Sequence, residues 1–196
     1  MDVDLFIPCF IDQFYPETAR NTEKILSKAG CTVYYNPEQT CCGQPAFNSG
    51  YWREARTVAR KFLSDFSGDK FIVSPSASCT GFIKNYYRKL FDDDFNLLKR
   101  SEIIFEKSFE LSDFLVNQIG VIDFMAEFPH KVTFHDSCAG LREYGIKSEP
   151  RKLLENVKGL ELLEMKNTDA CCGFGGTFAA KFHHISTEIK KKKVEN

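Results

Sequence analysis

The chain contains eight cysteines, and their positions give the clearest indication of chemistry. Two pairs are adjacent, Cys41-Cys42 and Cys171-Cys172, and a glycine follows each pair. Adjacent thiolates bridge poorly to each other, but they can bind one metal ion or two irons of a cluster. The acidic start of the chain differs from a basic secretory signal and predicts a cytoplasmic protein, where structural disulfides are rare. The cysteines therefore indicate metal or redox chemistry rather than a disulfide framework.

The spacing of the cysteines favours an iron-sulfur cluster over a zinc knuckle. Zinc knuckles use cysteines two to four residues apart, and the sequence has no such pair. Thiolates without histidines at zinc-like spacing suit iron and sulfide well. The glycines after the pairs, such as Gly43 and Gly173, let the backbone approach closely and direct N–H groups at sulfur. These hydrogen bonds would favour the more negative, reduced form of a cluster.

Short apolar runs alternate with helical patterns along the chain. The runs are too continuously apolar to have a solvated face, which is typical of buried parallel strands. Apolar residues at spacings of three and four indicate amphipathic helices between them. The sequence therefore predicts an α/β fold with a mainly parallel sheet. Strands are predicted at 3–7, 32–35, 71–73, 132–134 and 160–163, and helices at 16–30, 52–66 and 111–119.

Seven cysteines follow predicted strands, and the carboxyl ends of parallel strands meet at the edge where α/β proteins bind ligands. These thiols are therefore expected to gather at one edge of the fold. Cys31 begins a strand instead, and we interpret it as a small buried hydrophobic residue. The candidate ligands are Cys9, Cys41, Cys42, Cys79, Cys138, Cys171 and Cys172.

The pattern occurs twice. Cys138 follows Cys9 by 129 residues, and Cys171 follows Cys41 by 130. Two copies of one Rossmann-like unit explain this repeat, with a first module at 1–125 and a second at 126–196. The counterpart of Cys79 would fall beyond Asn196, so the second module is expected to be incomplete, with three thiolates.

Composition limits the possible partners. The 196 residues are 43% apolar, enough for a buried core, and the net charge is −1. This charge provides no general field for binding nucleic acid. No apolar run approaches the roughly 20 residues that a membrane-spanning helix needs.

Three sequence motifs carry a resemblance to a known family, namely Cys41-Cys42-Gly43-Gln44-Pro45, His135-Asp136-Ser137-Cys138 and Cys171-Cys172-Gly173-Phe174-Gly175-Gly176. They resemble the cysteine-rich CCG-domain proteins, and above all the lactate utilization protein A family. Distant relatives are the B subunit of heterodisulfide reductase and the iron-sulfur subunit of glycolate oxidase. The resemblance runs nearly end to end, with one departure: Thr80-Gly81-Phe82 follows Cys79, where heterodisulfide reductase modules have a further cysteine two residues on.

The resemblance implies an oxidoreductase subunit that transfers electrons during oxidation of L-lactate to pyruvate. It also implies a complex with a ferredoxin-like iron-sulfur subunit and a third small subunit. Four thiolates, Cys9, Cys41, Cys42 and Cys79, would serve a [4Fe-4S] cluster. Oxidation of another 2-hydroxy acid, such as glycolate, remains an alternative.

Two other interpretations of the cysteines stay open. They could bind zinc and make the chain a structural scaffold, or Cys41 or Cys171 could exchange disulfides, although no C-x-x-C motif is present. His135 is the best-placed base, but a role supporting the neighbouring thiolate is favoured. The lysines at 190–193 are interpreted as a solvated helix end or a docking patch for an acidic partner.

Overall fold

A computed structural model describes residues 1–195 as a mixed α/β protein. Within those residues, no helix combines the length and the apolar character needed to cross a bilayer. Strands and helices alternate as the sequence predicts. The strands are β1 (Asp2–Leu5), β2 (Thr32–Tyr35), β3 (Phe71–Ser74), β4 (Ser108–Glu110), β5 (Lys131–Val132) and β6 (Glu161–Leu162). The helices are α1 (Cys9–Phe14), α2 (Pro16–Lys28), α3 (Gln44–Asn48), α4 (Trp52–Asp65), α5 (Ala77–Leu90), α6 (Phe95–Lys107), α7 (Leu111–Asp113), α8 (Ser148–Glu155), α9 (Thr177–Lys181) and α10 (His183–Val194). Two π-helical segments are π1 (Phe114–Ile119) and π2 (Ala139–Tyr144).

The first four strands form one parallel sheet in the order β2-β1-β3-β4. The central strand β1 pairs with β2 through Val3 and Val33, and with β3 through Val3 and Phe71. The chain first adds a strand on one side of β1 and then crosses to the other side. This reversal lies between β1 and β3, where open α/β sheets have their ligand crevice. The predicted α/β fold is confirmed, and a Rossmann-like arrangement is compatible with it.

Helices cover both faces of this sheet. Side chains along each strand alternate between the two faces, so the core consists of two layers. Val3, Leu5 and Val73 point to one face, which packs against α2 and π1. Phe6 and Ile72 point to the other face, which packs against α4, α5 and α6. Both layers exclude water, so the strand ends that carry the cysteines are held on a rigid base.

The second sheet is much smaller. Strand β5 pairs in parallel with β6, and an isolated bridge joins Glu127 to Lys158. We call the large sheet with its helices the first unit and the small sheet with its surrounding chain the second unit. The segment π2 packs against α5, where Gly81 and Gly140 allow a close approach between the two units. Tyr144 in π2 donates a hydrogen bond to Asp113 Oδ2 at 2.5 Å. The second unit is therefore fixed to the first along α5, the helix that carries Cys79.

Candidate cysteine centre

Four predicted ligands lie at the carboxyl edge of the large sheet. Cys9 begins α1, four residues after β1 ends, and Cys79 lies in the first turn of α5, after β3. Cys41 and Cys42 lie in the loop that follows β2. Because β2, β1 and β3 are neighbours in the sheet, these loops meet at one point of its edge.

The four thiols interact with one another. Cys41 contacts Cys9 and Cys42, and Cys42 also contacts Cys79. A hydrogen bond from Cys42 and the Gly43 N–H lower the pKa of Cys41 to about 6, although burial opposes them. Hydrogen bonding to Cys42 likewise lowers the pKa of Cys79. Cys41 is therefore a thiolate at neutral pH, which is the form of cysteine that binds metals.

The other two thiols stay protonated. Burial and the nearby Cys41 charge raise the pKa of Cys9 to about 11. The hydrogen bonds that Cys42 makes with Cys41 and Cys79, together with its nearly complete burial, raise its pKa well above the ordinary value. Because negative charges on neighbouring sulfur atoms repel one another, the four thiols cannot all ionise without a compensating positive charge.

The backbone after the cysteine pair wraps around sulfur. The Gly43 N–H lies 3.4 Å from Cys41 Sγ. Gly43 has φ +95°, and a Cβ there would lie 3.2 Å from the carbonyl oxygen of Ala55. Only glycine combines this left-handed backbone with so close an approach to α4. The same residue then starts α3, with Pro45 in its first turn.

The Gln39 side chain ties the first two cysteine loops together. Its Oε1 accepts from the Ile7 N–H at 2.8 Å, and its Nε2 donates to the Leu5 and Asn36 carbonyls at 3.1 and 3.0 Å. Gln39 therefore fixes the end of β1, just before Cys9, against the loop just before Cys41. Sequence reasoning missed this residue, because an isolated polar residue gives no signal of a partner 32 positions away.

A second group of polar contacts supports Cys42 and Cys79 from α5. Ser76 caps α5 by accepting from the Cys79 N–H at 3.4 Å, and Ser78 Oγ donates to Gln44 Oε1 at 2.7 Å. The buried Tyr87 hydroxyl donates to the Cys42 carbonyl at 2.8 Å. These contacts join the loop after β2 to the helix after β3, so the positions of all four thiols depend on one another.

The donor set fits an iron-sulfur cluster. Residues 1–195 contain no group of three or more His, Cys, Asp or Glu side chains placed to share a single metal ion. In a cluster each cysteine binds a different iron, so the ligands need no common point. Four soft sulfur donors, one of them ionised and bonded to a backbone N–H, match what such a cluster requires.

The second set of cysteines repeats part of this arrangement. The Gly173 N–H lies 3.4 Å from Cys171 Sγ, and Gly173 has φ +80°, like Gly43. Cys138 and Cys171 are exposed, and Cys172 is half-buried. Across residues 1–195, no hydrogen bond joins these three thiols to one another. The structure therefore brings the first four candidates together, and within residues 1–195 it shows no such hydrogen bonding among the other three.

An ion network supports the second loop. The Asp136 side chain is only 1% exposed and accepts bidentate hydrogen bonds from Arg151 at 2.8 and 2.9 Å. Arg151 also binds Glu164 and lies 5.2 Å from the centre of the Phe134 ring. The hydrogen bonds from Arg151 are the main cause that lowers the pKa of Asp136. The sequence contained both partners, but nothing in it indicated that they pair.

Comparison with known proteins identifies the family. The family profile described as "Cysteine-rich domain" (CCG) matches residues 3–84 and 132–196. The chain is 39% identical over 196 residues to "Lactate utilization protein A 2" of a Bacillus cereus strain, covering 100% of this chain and 81% of that protein. It is 40% identical over 195 residues to "Lactate utilization protein A" of Bacillus subtilis (strain 168), covering 100% and 82%. The chain belongs to the lactate utilization protein A family. The predicted resemblance is thus confirmed.

Other predicted residues of this CCG-family chain occupy structural positions. His135 Nδ1 lies 2.8 Å from the Thr168 carbonyl, which joins the loops that carry Cys138 and Cys171. Cys31 is half-buried and packs against the first core layer, away from the other thiols. Within the lysine run, Lys191 pairs with Glu188, and Lys193 donates to the Asn167 and Thr168 carbonyls at 2.6 and 3.0 Å. Lys193 therefore fastens α10 to the loop that precedes Cys171.

Proposed function

We propose that this chain is an iron-sulfur electron-transfer protein that takes part in oxidation of L-lactate to pyruvate. One observation carries the proposal: four thiols from three separate loops converge at the ligand edge of the sheet. The relatives bear the name lactate utilization protein A, which supports lactate as the substrate of the wider system.

Cys9, Cys41, Cys42 and Cys79 would hold the cluster, in the proposal a [4Fe-4S] centre. When bound, such a cluster supplies transfer of single electrons at a potential set by its ligands and hydrogen bonds. The Cys41 thiolate provides the first negative ligand, and the Gly43 N–H stabilises charge on its sulfur. The apolar layer that contains Cys42 excludes water from one side of the site.

The second cysteine set extends this proposal. Cys138, Cys171 and Cys172 would form a second group of ligands, and 1–125 and 126–196 would be the corresponding modules. A ferredoxin-like iron-sulfur subunit and a third small subunit would be the partners. The parallel between Gly43 and Gly173, each with its N–H 3.4 Å from a cysteine sulfur, supports two related sites.

The test is the metal content of protein purified without oxygen. We expect iron and acid-labile sulfide, a broad visible band bleached by dithionite, and a paramagnetic resonance signal after reduction. Cys79→Ser should lower the iron content, whereas the matched variant Cys31→Ser should not, because Cys31 lies away from the site. Colourless protein with stoichiometric zinc would support the scaffold interpretation and end the proposal.

A further inference from the structure

Four aromatic side chains form a continuous exposed patch between the two sets of cysteines. Phe10 lies at its centre, and the centre of its ring is 4.9 Å from that of Phe14, 5.8 Å from that of Tyr15 and 5.5 Å from that of Phe174. Their exposed fractions run from 45% for Phe10 to 68% for Phe14. We name these four residues the aromatic ridge. Large apolar side chains that contact one another in solvent are typical of a surface that binds a partner.

Helix α1 and a glycine-rich loop present the ridge. Phe10 and Phe14 are four residues apart in α1, so they lie on the same side of the helix, and no side chain of α1 is buried. Phe174 lies between Gly173 and Gly175, which both have positive φ, so the loop turns on each side of the ring. The local structure therefore keeps these rings in solvent, although their apolar surface favours burial.

The ridge adjoins both cysteine sets. Phe10 directly follows Cys9, and its N–H donates to the Cys9 sulfur. Phe174 follows Cys172 by two residues. Cys9 and Cys171 are themselves exposed. A protein that covered the ridge would therefore lie close to ligands of both proposed cluster sites.

The area of the ridge suits a short-lived complex. An aromatic side chain has about 150–250 Å² of surface, so the exposed parts of the four side chains amount to roughly 450 Å². A stable complex buries about 800 Å² on each partner, whereas complexes between electron-transfer proteins bury less. The ridge is thus large enough for an encounter between redox proteins and too small for a permanent dimer.

The segments that form the ridge carry little charge. Asp12 is the one charged residue of α1, and its carboxylate accepts from the Gln13 side chain at 2.7 Å. The next charged residues along the chain, Glu17 and Arg20, pair with each other. The loop at 171–180 contains no charged residue. A partner would therefore be held by apolar contact, and its own contact surface would be mainly apolar.

We propose that the aromatic ridge is the docking surface for a one-electron carrier protein whose iron-sulfur cluster lies beneath an apolar surface. The inference rests on the proposed function, since it names the place where this chain exchanges electrons. One electron leaves the reduced cluster of one protein and enters the oxidised cluster of the other, and no bond forms or breaks. The complex is short-lived because the area of the ridge is small.

The binding experiment titrates the full, isotope-labelled chain, purified without oxygen, with a bacterial [4Fe-4S] ferredoxin. NMR signals of the ridge should shift or broaden, and Phe14→Ser should weaken binding about fivefold to thirtyfold. Phe95→Ser is the matched control and should leave binding unchanged. Phe95 is 67% exposed but lies on α6, which packs against α4 and α5, whereas α1 packs against α2. Equal weakening by both variants, or no binding of the ferredoxin, would overturn the assignment.

Salt separates the ridge from the lysine run at 190–193, the other candidate docking patch. Binding through the ridge should change by no more than about twofold between low and high salt, because little charge takes part. Lys192→Gln, at an exposed position of α10, should have no effect. A steep loss of binding with salt, together with weakening by Lys192→Gln, would overturn the ridge in favour of the lysine run. Self-association of the chain that Phe14→Ser abolishes would assign the ridge to a second copy and would also overturn the proposal.

Stopped-flow kinetics separates this inference from the proposed function. The iron-containing chain should take electrons from reduced ferredoxin, and Phe14→Ser should slow this transfer at low ferredoxin concentration while the iron content stays the same. A chain that binds ferredoxin through the ridge but contains no iron would refute the proposed function alone. An iron-containing chain whose electron transfer is unaffected by Phe14→Ser would refute only the ridge.

Discussion

At the scale of single residues, the site depends on glycines and polar side chains that position sulfur. Cys41 is ionised because Cys42 and the Gly43 N–H donate to it, and it would lose much of this stabilisation if the loop changed shape. The left-handed backbone of Gly43 directs that N–H. The chemistry of Cys41 therefore depends on a neighbour that has no functional group of its own.

Gly43→Ala should destabilise the chain more than Gly50→Ala. Both glycines have positive φ, +95° and +85°, so alanine costs about 1–2 kcal/mol at either position. A Cβ at Gly50 meets nothing within 4 Å, whereas one at Gly43 lies 3.2 Å from the Ala55 carbonyl oxygen. Urea unfolding should show the larger loss for Gly43→Ala, together with lower iron content. Equal losses would mean that the approach to α4 is unimportant.

Gln39→Leu should lower the free energy of unfolding by about 1–3 kcal/mol, because it leaves the Ile7 N–H and the Leu5 carbonyl without their partner. It should also lower iron content, since Gln39 sets the loop of Cys9 against that of Cys41. Urea unfolding and iron analysis measure the two effects. The control is Gln118→Leu at an exposed position, for which both quantities should match the unmodified chain. Full iron content in Gln39→Leu would show that the loops of Cys9 and Cys41 keep their positions without the Gln39 side chain.

At the scale of elements, the sequence predicted the strands and helices that have a regular spacing of apolar residues. Strand β2 has the predicted bounds, and helix α4 ends one residue short of prediction. Strand β4 was not predicted, because Ser108–Glu110 has a single apolar residue and no alternation to recognise. The predicted helix at 111–119 is an α-turn that continues as π1, and apolar spacing cannot distinguish these forms.

The meeting of the first four cysteines was predictable, because parallel strands place their carboxyl ends at one edge. The contacts that support them were not. Gln39, Tyr87 and Arg151 act on partners that lie far away in sequence or that carry no matching pattern. Polar contacts of this kind follow from the packed fold, so they emerge only once the elements are in place.

The ion pair between Arg151 in α8 and Asp136, which lies just before Cys138, gives a further prediction. Arg151→Met should cost about 3–5 kcal/mol, because it leaves the buried Asp136 carboxylate without the counter-charge that binds it. Arg142→Met removes an exposed pair with Asp169, at 3.5 Å, and should cost less than about 1 kcal/mol. Thermal and urea unfolding compare the two variants directly. Similar costs would show that Asp136 finds another partner or water.

At the scale of the whole molecule, the core is unevenly distributed. Among residues 1–195, the fully buried apolar side chains all lie between Val3 and Leu115. The second unit has a two-stranded sheet and relies on its contact with α5. Phe10 and Phe174, with ring centres 5.5 Å apart, add a contact between the two cysteine-bearing regions. The first unit therefore supports the second, and the stability of the second depends on how closely they dock.

Gly81→Leu should release the second unit and leave the first one folded. Gly81 lies inside helix α5, where leucine is normally favoured over glycine by about 0.8 kcal/mol. A Cβ at this position would lie 3.2 Å from Glu143 Cβ and 3.4 Å from its backbone, so the larger side chain forces π2 away from α5. Hydrogen exchange should accelerate across 126–195 while β1 and β3 remain protected, because the fully buried side chains around these strands all belong to the first unit.

Thr57→Leu, on the exposed face of α4, provides the matched helical control and should leave both regions unchanged. If Gly81→Leu left exchange in 126–195 as slow as before, the second unit would have to be stable without its contact to α5.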